Sequence, residues 1–327
     1  MKPEPSQEKK TETAAASVDP WLRLNHWFMR ARDRAAGLFP FLLRTGAIRA
    51  VAIETTTECT RKCSYCPPHH SLAIPPLRME PGLYAKILAS LAAHNYAGGI
   101  FFNLYGESLR DDRLEAWVRD ARSRLPAAEL TVFTNGDLLT YDRYLSLKEA
   151  GMDMLVVSLH SEGGRGPLLG TLERLRRDKP ELYTVRVMDY YRLYHTEGNR
   201  LSLLNNKGGL TDVKRRPFRR CYEAENTAID CLGNVLLCCN DCTASYVFGN
   251  VAERDLYDIW NAPAFAFIRN SLLRGQWPFE ICRKCMSAGG LCTALPAGAA
   301  ARLPAAFTDF SKALTALGFP PEKLAPK

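Results

Sequence analysis

The cysteines constrain this chain most. There are 11 in 327 residues, and they fall into three groups: Cys59, Cys63 and Cys66; Cys221, Cys231, Cys238, Cys239 and Cys242; and Cys282, Cys285 and Cys292. A secreted disulfide framework comes as an even set on a short chain behind a signal peptide. Here the count is odd, and the opening MKPEPSQEKKTETAAAS has no apolar core region. Clustered thiols in a reducing cytoplasm read instead as ligands of a metal or an iron–sulfur cluster. No stretch supplies the roughly 20 apolar residues of a membrane span. The net charge of +8, from 43 basic and 35 acidic residues, names no nucleic-acid partner, and no RNA-binding module accompanies it.

Two periodicities organise the chain. Residues 1–17 have the polar composition of a disordered tail. Trp21, Leu24, Trp27, Phe28 and Ala31 then recur at helical spacing in a basic segment ending near Arg44. Such a helix either packs on the main domain or lies on a membrane surface. From residue 49 onward, short β-rich runs (Val51–Thr55, Gly99–Leu104, Leu130–Phe133, Met154–Leu159, Thr184–Met188, with Leu201–Leu204 as a candidate sixth) alternate with helical patterns. Pro81 opens the first helix, Leu114 to Ala121 mark another, and Tyr144 to Ala150 a third closed by Gly151. Repeated strand–helix units predict an α/β fold, a partial (β/α)6 TIM-like barrel, with its site at the C-terminal strand ends. Beyond about Asp212 the alternation stops, and a smaller C-terminal cysteine-rich domain with short β runs (Ala228–Ile229, Val235–Leu237) follows. The expected division is a tail and amphipathic helix at 1–48, a core at 49–212, the cysteine-rich domain at 213–296 and a C-terminal tail at 297–327, with a candidate helix from Thr308 to Leu317.

Cys59-x3-Cys63-x2-Cys66 directly follows the first strand. Three thiolates on so short a loop hold three irons of a four-iron cube and leave the fourth open to an exogenous ligand. A closed zinc site with His69 or His70 as fourth ligand is the alternative. The run CTRKCSYC resembles the CxxxCxxC signature of the radical S-adenosylmethionine (SAM) superfamily. In that family SAM chelates the open iron of a [4Fe–4S] cluster, and a 5'-deoxyadenosyl radical takes a hydrogen atom from substrate. The resemblance gives Tyr65 the backbone contact to adenine. Tyr105-Gly106-Glu107-Ser108 resembles the family's GGEP turn, in which Gly106 and Glu107 hold the SAM ammonium through a charge-assisted pair; Tyr105 and Ser108 depart from it. Asn135 and Ser158 fall where the family binds the ribose and methionyl parts, and Arg186 offers a bidentate fork to the SAM carboxylate. Asn135 reads equally as a turn residue, Arg186 as a structural ion pair and His160 as a polar loop residue.

Cys221, the Gly233-x4-Cys238 run and Cys282-x2-Cys285 resemble the SPASM/twitch extension of a radical SAM subgroup. That resemblance implies one auxiliary [4Fe–4S] cluster on Cys221, Cys238, Cys282 and Cys285, with Cys239 or Cys292 as alternate ligands; a four-cysteine zinc knuckle is the competing reading. Together with NVLLCCND, GNV, LYDIWN and Arg269, it covers roughly residues 49–292. The remaining thiols act as small buried hydrophobes or, for Cys242 and Cys239, as catalytic hydrogen-atom donors of the kind found in radical SAM epimerases. The implied activity is hydrogen-atom abstraction from a small-molecule or peptide substrate, leading to dehydrogenation or epimerisation, with an external electron donor such as flavodoxin or ferredoxin. A cross-linking peptide maturase, a non-catalytic Fe–S carrier and a zinc scaffold are the other readings. Too few residues precede the first strand for a peptide-binding N-terminal domain, which favours a small molecule.

Overall fold

A computed structural model describes residues 46–63, 66, 75–161, 167–191 and 220–286. The expected elements at Trp21–Arg44, Leu201–Leu204 and Thr308–Leu317 lie outside these residues, as do Tyr65, His69, His70 and Cys292. The described core alternates β1 (Ala50–Ile53), α1 (Pro81–Ala93), β2 (Gly99–Phe102), α2 (Leu114–Arg124), β3 (Glu129–Thr134), α3 (Tyr141–Glu149), β4 (Met154–Leu159), α4 (Leu168–Asp178) and β5 (Val185–Asp189). There follow β6 (Asn226–Ile229), β7 (Asn234–Leu236), β8 (Val247–Asn250), α5 (Leu256–Trp260), α6 (Pro263–Leu273) and α7 (Glu280–Met286).

All eight strands belong to one open sheet in the order β5-β4-β3-β2-β1-β6-β7-β8. It is parallel from β5 to β6 and antiparallel across β7 and β8. The cysteine-rich segment therefore continues the core sheet through β6, which pairs with β1 from Ala50↔Asn226 to Ile53↔Ile229.

Strand periodicity sorts the sheet into two faces. Val51, Ile53, Ile100, Phe102, Leu130, Val132, Leu155 and Val157 are wholly buried, as expected of the face that the crossover helices cover. Each such aliphatic or aromatic side chain contributes about 1.5–3 kcal/mol. The helices answer with Tyr84, Ile87, Leu88 and Leu91 on α1 and Leu114, Trp117 and Val118 on α2. The Tyr84 hydroxyl donates to the Trp117 carbonyl at 2.6 Å, which satisfies a polar group inside that layer. The other face carries Ala52, Phe101, Phe133, Val156, Ser158, Arg186 and Ala228 in register. Alanines on β1 and β6 keep it shallow, and the same alternation turns Glu54, two residues past Ala52, toward it.

In the C-terminal part, α6 buries Phe265, Ile268 and Leu272 at helical spacing. Its Arg269 lies 3.6 Å over the Trp260 ring and donates to the Trp260 carbonyl. Burial lowers that guanidinium to about 9.

Candidate active site

The cysteine loop after β1 lies directly on the turn after β2. The Glu107 amide donates to the Glu58 carbonyl at 2.8 Å. A Cβ built on Gly106 would stand 1.9 Å from the Thr56 carbonyl oxygen. Only glycine permits this approach, which gives Gly106 of the YGES turn a physical reason. Glu107 is 3 % exposed. Its carboxylate accepts from the Thr134 hydroxyl at 2.5 Å, the Asn135 amide at 2.7 Å and the Leu109 amide at 3.1 Å. Burial raises its pKa above the usual carboxylate range, and those three donors pull against the rise.

Asn135 closes the same group: its Nδ2 donates to the Thr60 hydroxyl at 3.0 Å and toward Cys59 Sγ at 3.8 Å. Cys59, Glu107 and Asn135, three residues singled out from sequence, are thus brought together. Burial pushes the Cys59 thiol up, the Arg61 amide opposes, and the Glu107 and Cys63 charges add to the rise. Cys63 and Cys66 form a tight turn, with the Cys66 amide donating to the Cys63 carbonyl at 3.0 Å. Sequence reasoning missed Arg61. Buried between two cysteines, it grips Asp137 with Nε at 2.8 Å and a terminal nitrogen at 2.5 Å. That fork pins the loop to the Asn135-Gly136-Asp137 turn, a pattern whose second polar residue was the available signal. Ser158 and Arg186 share the inner face on β4 and β5, farther along the sheet. His160 stacks on Tyr190, a contact that accounts for it structurally.

The second site assembles from distant segments. Cys221, Cys238, Cys282 and Cys285 line one cavity of about 110 Å3 with Leu272 and Trp277. Cys282 and Cys285 share a face of α7, since residues three apart are helical neighbours. Burial pushes Cys221 up to about 12, with the Glu223 and Cys285 charges adding. Burial and the neighbouring thiols raise Cys238 and Cys282 as well. Such thiols release their protons when a metal supplies the compensating charge. Among the described residues no three ligating side chains close tightly enough for a single ion. Four thiols around one cavity are a donor set of the kind that iron–sulfur clusters take.

A further cavity, of about 350 Å3, has Glu54, Tyr105, Cys231, Asp241 and Cys242 in its wall. Tyr105 links the turn after β2 to β1 and to the cysteine-rich segment: its amide donates to Glu54 Oε1 at 3.1 Å and its hydroxyl to the Cys239 carbonyl at 2.5 Å. Glu54 is 5 % exposed, and burial pushes its carboxyl up to about 7 against the pull of the Tyr105 amide. The buried Cys231 thiol donates to the Glu54 carbonyl at 3.2 Å, a structural bond. Of the two thiols proposed from sequence as catalytic, Cys242 lines this cavity, whereas Cys239 has its carbonyl engaged by Tyr105.

Residues 53–202 match the radical SAM superfamily, and residues 221–286 match SPASM, an iron–sulfur cluster-binding domain. The chain belongs to the radical SAM superfamily and carries a SPASM-type domain. It is an enzyme whose cofactors are a [4Fe–4S] cluster with SAM in the core and an auxiliary iron–sulfur cluster in the C-terminal part. A relative from Niallia circulans, the S-adenosyl-L-methionine-dependent 2-deoxy-scyllo-inosamine dehydrogenase, is 30% identical over 240 residues, covering 72% of this chain and 91% of that protein. The crystal structure of BtrN in complex with AdoMet and 2-DOIA is similar with a TM-score of 0.63 at 27% identity, over 76% of this chain and 96% of BtrN. An open conformation of BtrN gives 0.55 at 26% identity, over 75% and 94%. No helix among the described residues is long and apolar enough to cross a membrane.

Proposed function

We propose that this enzyme is a dehydrogenase that oxidises a secondary alcohol on a small hydroxylated ring, of the aminocyclitol type. The observation that carries the reading is the bridge at Tyr105, a wall residue of the cavity of about 350 Å3, whose hydroxyl joins the YGES turn to the residue next to Cys238. An oxidation needs an electron acceptor, and an auxiliary cluster held by Cys238 would serve as one. The likeness to the inosamine dehydrogenase supports the substrate class.

Cys59, Cys63 and Cys66 hold the core cluster and leave one iron for SAM. Gly106 and Glu107 receive the SAM ammonium; Glu107, raised by burial, is drawn back to its charged form by a cation in that position. Asn135 and Ser158 meet the ribose and methionyl parts, Arg186 the carboxylate and Tyr65 the adenine. Cys221, Cys238, Cys282 and Cys285 hold the auxiliary cluster. When bound, the cofactors supply a hydrogen-abstracting radical at the core and an electron sink at the auxiliary site. Across the reaction the carbinol loses a hydrogen atom, a proton and one electron. The core cluster would need a one-electron donor such as flavodoxin or ferredoxin.

Incubation with aminocyclitols deuterated at the carbinol carbon tests the proposal. Deuterium in 5'-deoxyadenosine with an equal yield of ketone is the expected result; 5'-deoxyadenosine without ketone overturns it. A second reading, epimerisation, is favoured by the position of Cys242 on the cavity wall. Carbon-bound deuterium acquired from D2O by the recovered alcohol, and lost in Cys242→Ala, supports that reading over dehydrogenation.

A further inference from the structure

The run Cys238-Cys239-Asn240-Asp241 turns tightly after β7. Asp241 fixes the turn: its carboxylate accepts from the Ser245 amide at 2.9 Å and the Tyr246 amide at 2.8 Å, and its own amide donates to the Cys238 carbonyl at 3.1 Å. The turn sets Asn240, 3 % exposed, into the wall of the four-thiol cavity. Its main-chain amide donates to Cys238 Sγ at 3.4 Å, and its side-chain Nδ2 donates to Cys285 Sγ at 3.8 Å. One residue thus addresses sulfurs from opposite ends of the site, the β7 turn and α7. Asn240 Oδ1 has no hydrogen-bond partner among the described residues. Burying an unpaired carbonyl is unfavourable, and the hydrogen bond made by the NH2 group of the same side chain offsets that cost. Donors to a charged sulfur are roughly twice as strong as those to a neutral one.

We propose that Asn240 is a positioning residue that raises the reduction potential of the auxiliary cluster by donating hydrogen bonds to two of its sulfur ligands. The inference rests on the auxiliary ligand set proposed above. Hydrogen bonds to ligating sulfurs stabilise the more negative, reduced state and so make the cluster a better electron acceptor. Asn240 needs no contact with substrate for this.

The test uses the full chain carrying C59A, C63A and C66A, loaded anaerobically with iron and sulfide so that only the auxiliary cluster gives a signal. The readout is a redox titration followed by electron paramagnetic resonance. Asn240→Asp replaces the side-chain donor with an acceptor of the same size, Asn240→Ala removes it, and Asn240→Gln keeps it. At a fixed potential near the midpoint, the reduced-to-oxidised ratio is expected to fall about tenfold in Asn240→Asp, or about 59 mV for a one-electron couple. It falls less in Asn240→Ala and recovers in Asn240→Gln. Potentials of Asn240→Asp and Asn240→Ala equal to that of the parent overturn the inference. Should Asn240→Asp fail to load, the Ala and Gln variants make the same comparison. A parent that holds no cluster overturns the ligand set and the inference with it; a normal cluster indifferent to Asn240 overturns the inference alone.

Discussion

The first cysteine site draws its three sulfurs from eight consecutive residues after β1, whereas the second gathers four from segments running from Cys221 to Cys285. The first loop is pinned by groups that need no metal: the Arg61–Asp137 fork, the Glu107 amide on Glu58 and the Thr56 carbonyl seated on Gly106. The second is tied segment by segment: Asp241 holds the Cys238 turn through the Ser245 and Tyr246 amides, and the Cys221 amide donates to the Leu272 carbonyl at 3.0 Å. Asn240 joins that turn to Cys285 on α7 through an amide-to-sulfur hydrogen bond, and Tyr246 packs on Phe279 just ahead of that helix. The core loop is held by its own hydrogen bonds, whereas the auxiliary site is a junction of distant segments that a bound cluster would staple together.

The sharpest way to break this comparison is to remove one site at a time. Replacing Cys59, Cys63 and Cys66 by serine is expected to reduce 5'-deoxyadenosine formation to background while leaving thermal stability near that of the parent. Cys238→Ser is expected to do the reverse: SAM cleavage persists, ketone formation falls to background, and the melting temperature drops. Equal losses of stability in both would contradict the distinction.

The next effect concerns how closely the core loop is seated. Gly106→Ala forces a methyl group into the Thr56 carbonyl and is expected to cost about 3 kcal/mol, the upper end of overpacking penalties. Denaturant unfolding measures it, and a loss below 1 kcal/mol would show that the loop yields. Glu54, buried beside Tyr105, gives a pH signature of similar size. Its folded pKa of about 7 lies above its unfolded value, so the native state holds the proton more tightly. Its stabilising contribution is complete below about pH 4.5, declines as pH rises and is gone above about 7, roughly 3 kcal/mol in all. Glu54→Gln should flatten the stability profile across that window, and an unchanged profile would assign the dependence elsewhere. The smallest effect belongs to Glu107→Gln, which removes the charge facing the SAM ammonium. SAM affinity measured by calorimetry should weaken about tenfold to a hundredfold.

Much of the core was legible in the sequence because the interactions that shape it are local. Met154–Leu159 forms the strand that its apolar run predicts, and Pro81 starts the first helix. The core site residues stood out for the same reason: three cysteines within one loop and a Gly-Glu pair one strand later form a local pattern. The C-terminal part was less so. The helical nature of α6 and α7 was hidden among cysteines and short apolar runs. The pairing of β6 with β1 joins residues 176 apart in sequence, Ala50 with Asn226, and no local pattern encodes such a register. Arg61, Glu54 and Asn240 were missed because each acts through a partner that only folding brings near: Asp137, Tyr105 and Cys285.

Anaerobic reconstitution with iron and sulfide, followed by SAM and a one-electron reductant, tests the central claim most directly. Stoichiometric release of 5'-deoxyadenosine and methionine is the predicted result. A fully loaded protein that leaves SAM intact would mean that the core cluster has no iron free to receive it, and would contradict the account.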